Sequence, residues 1–320
     1  MLNKIVCVYD IKLKELQKPI QLINCLDKEK NKNYLIKEKE NEDELTANCT
    51  LFLNDEEIKF SLQKKLTKKG KNTMIIECER LLINISWFFY NCTTLINLDL
   101  SNFNSSEVNN MSHLFHNCSS LKELDLSNLN TSKVENMSYM FSGCTSLEYI
   151  DLSNFITENV NDMNCMFYKC SLLKNLDLSN FNTCNVSNMK YLFYDCSNLK
   201  SINLSNFNTI KVTDMSGMFY NCFSLKEINL LNFNTENVVF MNDMFYNCKS
   251  LISLDLSHFN IDKVKTTSWM FCKCLSLINL NIQKFNSKKI KDINFMCEGI
   301  NRHCNIICKD RVMLTKILNI

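Results

Sequence analysis

Glycine and proline are nearly missing from this chain, which has four glycines and one proline in 320 residues. This composition excludes collagen-like segments and Pro- or Gly-rich linkers. The net charge at pH 7 is only +2, so no global field favours nucleic acid or a membrane surface. Apolar runs of about 18 residues are missing too, and Met1–Ile20 has no uninterrupted apolar core of the kind a signal peptide needs. We therefore predict a cytoplasmic protein without membrane insertion, with the cell surface as the alternative location.

Cysteine, by contrast, is abundant, and it reveals a repeat. Eight of the 18 cysteines recur at an interval of 26 residues without an insertion: Cys92, Cys118, Cys144, Cys170, Cys196, Cys222, Cys248 and Cys274. A fixed period of this length indicates a solenoid, in which each repeat stacks on its neighbours. A translational repeat does not supply disulfide geometry between equivalent positions. We therefore predict that these ladder cysteines are free, buried thiols that pack as small hydrophobes.

Two periodicities lie within each repeat. In Leu98–Leu100 apolar and polar residues alternate, which predicts a short strand with one buried face. From Val108 to Cys118 the apolar residues recur every three or four positions, which predicts a short helix or 3₁₀ turn with an N-cap at Asn110. A phenylalanine slot that includes Phe103 would form an aromatic spine inside the stack.

The first 80 residues do not follow the period. Alternation in Ile5–Tyr9 and in Cys49–Leu53 predicts strands, and Asn54–Glu57 predicts a hairpin turn. The charged segment Asp27–Glu44 is typical of an exposed loop or a short polar helix. We interpret residues 1–80 as a β-rich cap, because an open solenoid end would expose a sheet edge.

The repeat pattern also decays towards the C-terminus. Ile306 and Cys308 still match the leucine slots of a ninth strand, and Lys309–Leu318 predicts a capping helix. We therefore predict a repeat array over residues 81–300, with about eight repeats, and a C-terminal cap over residues 301–320.

The repeat resembles a known family. Leu124–Cys144 reads LDLSNLNTSKVENMSYMFSGC, which is similar to the BspA-like leucine-rich repeats found in bacterial, mycoplasma and protist surface proteins. The similarity extends over about residues 82–290. It implies a right-handed β/α solenoid with a parallel sheet on one face and short helices on the other. It further implies a protein-interaction or adhesion module, and it carries over no catalytic residue and no cofactor.

Two slots on the outer face of the predicted strands form a candidate partner-binding stripe. The first slot contains Asp99, Asp125, Asp151, Asp177, Asn203, Asn229, Asp255 and Asn281. The second contains Ser101, Ser127, Ser153, Ser179 and Ser205. Such a stripe could receive another protein. Alternatively, its side chains hydrogen-bond along the ladder and stay solvated, since like charges about 5 Å apart repel unless they are screened or paired.

Other clusters favour structural interpretations. A possible zinc set near the C-terminus comprises Cys272, Cys274, Cys297, His303, Cys304 and Cys308. No Cys-x-x-Cys pair accompanies it, so we predict no metal. His113 and His116 are interpreted as exposed helix residues. The lysines from Lys284 to Lys291 are interpreted as a solvated face rather than a nucleic-acid site.

No catalytic constellation and no phosphate loop stand out in the sequence. Our leading hypothesis is a non-catalytic protein–protein interaction scaffold whose partner is another protein, with no cofactor and no nucleic acid. The alternative hypothesis is a cell-surface adhesin or host-interaction protein exported by an unrecognised route.

Overall fold

A computed structural model of the chain describes residues 3–24 and 39–318. The chain divides into two compact units, Met1–Ile156 and Thr157–Ile320. Both consist mainly of short strands and turns. The boundary between the units lies inside the repeats, and the segments 1–80, 81–300 and 301–320 stay predictions.

The first unit contains an antiparallel sheet that joins the N-terminal region to the first repeat. Its elements are β1 (Asn3–Ile11), a 3₁₀ turn (Leu13–Glu15), β2 (Pro19–Gln21), α1 (Lys39–Asn48), β3 (Cys49–Leu53), β4 (Glu56–Ile58), β5 (Gln63–Lys65), β6 (Gly70–Cys78) and β7 (Leu95–Asp99). Five strands pair in the order β4-β3-β6-β1-β7, and β2 pairs with β5. Because β7 belongs to the first repeat, β1 covers the edge that this strand would otherwise expose.

The alternating strands predicted near the N-terminus are present, and so is the hairpin. The turn is shorter than predicted, because only Asn54 and Asp55 separate β3 from β4. Their φ angles are 50° and 69°, and two positive φ values are what a two-residue type I′ turn requires. Most of the predicted polar segment Asp27–Glu44 lies outside the described residues, and α1 begins within its last part.

The second unit contains short parallel sheets. Its elements are β8 (Asn175–Asp177), β9 (Ser201–Asn203), β10 (Ser253–Asp255), β11 (Asn279–Asn281), β12 (Asn305–Ile307) and α2 (Arg311–Leu318). Strand β8 pairs with β9, and β10, β11 and β12 form a three-stranded sheet. Partners in these parallel sheets lie one repeat apart, as in Leu254 with Leu280 and Leu280 with Ile306. The predicted parallel sheet is therefore present as two small pieces in this unit.

The predicted ninth strand and C-terminal helix are present as β12 and α2. Asp310 caps α2, since its Oδ1 accepts the Met313 N–H at 3.1 Å. The other carboxylate oxygen of Asp310 accepts hydrogen bonds from the N–H and the hydroxyl of Ser287, both at 2.8 Å. Met313 and Ile317 are buried, whereas Val312 is exposed.

The structure does not show the short helix or 3₁₀ turn predicted for the second half of each repeat. Residues 112–117, for example, form consecutive turns. The N–H groups of Met111, His113 and Phe115 donate to carbonyl oxygens of the next repeat at 2.8–3.0 Å. The intervening residue Leu114 donates to Met111, three positions earlier, at 3.2 Å. Alternate backbone groups thus bond between repeats, which leaves no i to i−4 pattern for a helix.

These turns contain residues in the left-handed backbone conformation, with positive φ angles. In the turn that ends at Leu114, the third residue, His113, has a φ of 57°, and Asn117 has a φ of 59° in the next turn. A bonded four-residue turn with positive φ at its third position has the defining feature of a type II turn. The predicted N-cap residue Asn110 serves this turn instead of a helix, since its Oδ1 accepts the Ser112 N–H at 2.9 Å.

Buried side chains form ladders along each stack. The ladder cysteines are buried thiols that form no disulfide, as predicted. In the first unit Cys118 Sγ donates to the Phe89 carbonyl at 3.1 Å. Rings of Phe193, Phe219 and Phe245 stack with centroids 5.4–5.5 Å apart. The predicted spine is also buried, and Phe207 stacks on Phe233 at 6.2 Å.

A buried hydroxyl ladder was not predicted. Thr183 Oγ1 donates to the Asn208 carbonyl at 2.9 Å and accepts the Asn208 N–H at 2.8 Å. The same arrangement recurs at Thr235, which contacts Asn260. Each such threonine hydrogen-bonds a backbone N–H and a carbonyl at a turn where no neighbouring strand supplies partners. These backbone groups can therefore be buried.

Candidate binding surface

The predicted stripe lies on the outer side of the strands. In the first unit Asp99, Asp125 and Asp151 are exposed, and Leu98, Leu100 and their equivalents point into the core. The serines of the second slot, such as Ser101 and Ser127, are exposed beside them. The alternation of buried and exposed positions therefore leaves these side chains on the surface of the first unit.

Each stripe carboxylate or amide also has a structural role. Asp125 Oδ1 accepts the Ser127 N–H at 2.9 Å, and Asp151 Oδ1 accepts the Ser153 N–H at 2.9 Å. Asn203 makes the same bond to Ser205 at 3.2 Å. These are local turns in which a side-chain oxygen replaces a backbone acceptor. Because an amide oxygen does this as well as a carboxylate oxygen, the turn requires no negative charge in the slot.

The hydrogen bonds keep the carboxylates charged. The Ser101 and Ser127 N–H groups hold the pKa of Asp99 and of Asp125 below the usual range. The Ser153 N–H acts in the same way on the pKa of Asp151. Repulsion between neighbouring carboxylates is the smaller influence on Asp99 and Asp151. The first unit therefore presents three negative charges at neutral pH on successive repeats.

A groove of about 400 Å³ lies on this face of the first unit. Asp125 and Asp151 line it, together with Glu123 and Tyr149 from the slot two positions earlier. Tyr149 is 63% exposed, which is high for a large aromatic residue. Buried Leu124 contributes to its lining as well. The groove thus combines three carboxylates, an aromatic ring and an apolar side chain.

The equivalent face of the second unit differs in composition. Its first slot mixes charged and neutral residues, with Asn203, Asn229 and Asn281 beside Asp177 and Asp255. The slot equivalent to Tyr149 holds Asn175, Ser201, Glu227, Ser253 and Asn279. The aromatic ring and the run of acidic neighbours therefore belong to the first unit.

Glu123 and Tyr149 were not among the predicted site residues. The prediction followed the slots that stay constant, whereas these two occupy a slot that changes from repeat to repeat. The constant residues of a repeat mainly maintain the stack, so a binding site is better sought among the variable residues. A large aromatic residue at an outward-facing position of a predicted strand could have identified Tyr149.

The predicted exposure of His113 and His116 is wrong. His113 is stacked between Trp87 and Tyr139, at centroid distances of 3.7 Å and 4.5 Å, and His116 stacks on Tyr90 at 4.9 Å. Both Nδ1 atoms are buried without a hydrogen-bond partner. Burial lowers the pKa of His113 to about 3 and that of His116 to about 4. The pair is therefore neutral and belongs to an aromatic column.

The remaining clusters show no assembled site. Among residues 3–24 and 39–318, no three His, Cys, Asp or Glu side chains are placed to hold a metal ion. Within the basic patch, Lys289 Nζ pairs with Asp262 at 2.5 Å, and Lys284 Nζ donates to the His258 carbonyl at 3.4 Å. In the part of the chain that the structure describes, none of the helices is long and apolar enough to cross a membrane.

These features define a tandem-repeat protein with small open sheets, turn-built repeats and few helices. The chain belongs to the family described as "Mycoplasma protein of unknown function, DUF285", whose model matches it twice, at residues 83–203 and 188–308. Comparison with curated proteins and with solved structures found no match to this chain.

Proposed function

We propose that this chain is a non-catalytic protein–protein interaction scaffold. We further propose that its repeats are those of a BspA-like leucine-rich-repeat protein, wound as a right-handed solenoid. The parallel pairing of residues one repeat apart supports the solenoid. The corners built from turns and side-chain caps replace the short helices of that architecture.

The acidic groove on the first unit is the observation that supports binding. Its charges are not needed for the local turns, because asparagine supplies the same hydrogen bond elsewhere in the chain. An exposed tyrosine beside a charged rim is also typical of interface residues. We therefore place the partner on the groove around Tyr149, and its contact segment is extended and carries lysine or arginine side chains.

A photo-crosslinking residue in place of Tyr149 tests the proposal in the native cell. We expect one specific protein to become linked to this position. The combined substitution Asp125→Asn and Asp151→Asn should reduce the yield at least about tenfold, because it removes two of the three groove carboxylates and keeps both turn bonds. Asp177→Asn in the second unit is the matched control and should leave the yield unchanged.

Failure to crosslink any protein above background would contradict the proposed function. A yield that does not respond to Asp125→Asn with Asp151→Asn would place the partner elsewhere on the molecule. Protease treatment of intact cells distinguishes the two sequence hypotheses. Cleavage of the chain by added protease would support the adhesin, and protection would support the intracellular scaffold.

A further inference from the structure

Two buried cysteines face each other across the N-terminal sheet. Cys49 is the first residue of β3 and Cys78 is the last residue of β6, and the antiparallel register pairs them directly. Opposite residues of an antiparallel pair point to the same face. Both side chains lie on the buried face, where 8% of Cys49 and none of Cys78 is exposed.

The hydrogen-bond pattern identifies which kind of pair they form. The Glu79 N–H donates to the Asn48 carbonyl at 3.0 Å, so the flanking residues are a hydrogen-bonded pair. Hydrogen-bonded and non-bonded pairs alternate along an antiparallel ladder. Cys49 and Cys78 are consequently a non-hydrogen-bonded pair, in which the Cα atoms lie about 4.5 Å apart. That separation is within the range of about 4.4–6.8 Å found in disulfides.

The strand ends are held in this register by a side chain. Asn48 Oδ1 accepts the Arg80 N–H at 2.7 Å, and Asn48 Nδ2 donates to the Arg80 carbonyl at 3.2 Å. The neighbouring Cys78 thiol and burial together raise the pKa of Cys49. The two thiols are thus neighbours in the reduced protein.

We propose that Cys49 and Cys78 are an oxidative modification site, at which a peroxide converts the two thiols into a disulfide that joins β3 to β6. Cys49, the more exposed thiol, attacks one peroxide oxygen. The O–O bond breaks, an S–O bond forms and water leaves. Cys78 then attacks the sulfenic sulfur, so that the S–S bond forms, the S–O bond breaks and a second water leaves. Two thiols lose two electrons in total, and the peroxide gains them.

The ladder cysteines are not expected to react in this way. Cys118 Sγ and Cys144 Sγ each donate to a phenylalanine carbonyl, at 3.1 Å and 3.2 Å, and neither has any exposed surface. They therefore provide an internal comparison within the same chain.

The test treats the full reduced chain with hydrogen peroxide, then denatures it, alkylates free thiols and digests it for mass spectrometry. We expect a linked Cys49–Cys78 peptide about 2 Da lighter than its two reduced parts. Cys118 and Cys144 should be alkylated. The oxidised protein should also melt several degrees higher than the same sample after dithiothreitol.

Controls separate this site from other thiols. Cys184→Ser removes a partly exposed cysteine of the second unit and should change neither the link nor the melting shift. Cys49→Ser should abolish both, and the wild-type comparison with and without dithiothreitol remains decisive if that variant fails to fold. Alkylation of Cys49 and Cys78 after oxidation, or sulfinic acid at Cys49 without a link, would overturn the proposal.

Discussion

Individual residues in left-handed backbone conformation shape the turns of both units. One recurring turn position holds Asn91, Asn117 and Gly143 in the first unit, and their φ angles are 60°, 59° and 75°. Asparagine and glycine tolerate this conformation better than other residues. In the second unit Lys169 and Lys273 occupy the same position with φ angles near 60°. Those two lysines are therefore positions of local strain.

A substitution at Gly143 tests whether the left-handed turn position disfavours a residue with a side chain. A Cβ atom added there would collide with the amide oxygen of Asn117, and φ is unfavourable for alanine. We expect Gly143→Ala to lower the free energy of unfolding by about 1–2 kcal/mol. Chemical denaturation measures the change. Stability equal to that of the wild type would show that the turn can relax.

Lys169 provides the converse test in the second unit. Lys169→Gly should raise the free energy of unfolding by about 1 kcal/mol, since glycine adopts a φ near 61° without strain. The Lys169 ammonium also lies 5.3 Å from the Tyr168 ring centroid. Lys169→Ala is therefore the control, because it removes that contact and keeps the strain. The strain explanation requires the glycine variant to be more stable than the alanine variant.

Among the elements, the aromatic column of the first unit responds to pH. The folded-state pKa values of His113 and His116 are about 3 and 4, against about 6.5 in an unfolded chain. The unfolded state therefore binds more protons between these values. The stabilising effect of neutral histidines is complete above pH 6.5 and is lost as the pH falls towards 4 and then 3.

We expect acid to destabilise the protein by several kcal/mol through this pair, because one pKa unit corresponds to about 1.4 kcal/mol. The double variant His113→Tyr and His116→Tyr should lose this part of the pH dependence. Tyrosine occupies the equivalent positions at Tyr139 and Tyr168, so the change uses side chains that the repeat already accepts. Denaturant titrations at pH 7, 5 and 4 compare the two proteins. Identical slopes of stability against pH would refute the role of the histidines.

The buried spine is an element whose role can be measured by truncation. Phe207 is almost fully buried and stacks on Phe233. Phe207→Ala should cost about 3–5 kcal/mol of unfolding free energy, from lost burial and the cavity left behind. Phe207→Leu should cost clearly less, because Leu129 fills the same slot in another repeat. Equal losses in the two variants would mean that volume in this slot is unimportant.

Elements governed by local patterns could be predicted, and those governed by neighbouring repeats could not. Alternation was enough for β1 and β3, and a periodic apolar tail was enough for α2. The segment Val108–Cys118 has a helical spacing of apolar residues but forms turns, because its backbone bonds go to the next repeat. Alternation predicted the exposure of Asp99, Asp125 and Asp151, whereas the groove depends on Tyr149, which occupies a slot that changes from repeat to repeat.

At the scale of the whole molecule, the N-terminal region and the first repeat share one sheet. Strand β1 pairs with β6 on one side and with β7 on the other. Cys7, which is fully buried, lies opposite both Met74 and Leu98. Tyr9 is also fully buried, and its hydroxyl donates to the Leu22 carbonyl. The N-terminal core therefore continues into the first repeat without a polar boundary.

Separating the chain after Arg80 tests how far the two parts depend on each other. Residues 81–320 without the N-terminal region would expose the edge of β7, and Phe88 and Phe89 would lose neighbours such as Ile5 around their shared pocket. We expect this fragment to aggregate. Residues 1–80 would lose β7 from their sheet and should be poorly ordered. Amide dispersion in NMR spectra and light scattering measure the two effects. A sharply dispersed spectrum for residues 1–80 together with a monomeric 81–320 would instead show an independent N-terminal domain, and the cap prediction would be wrong.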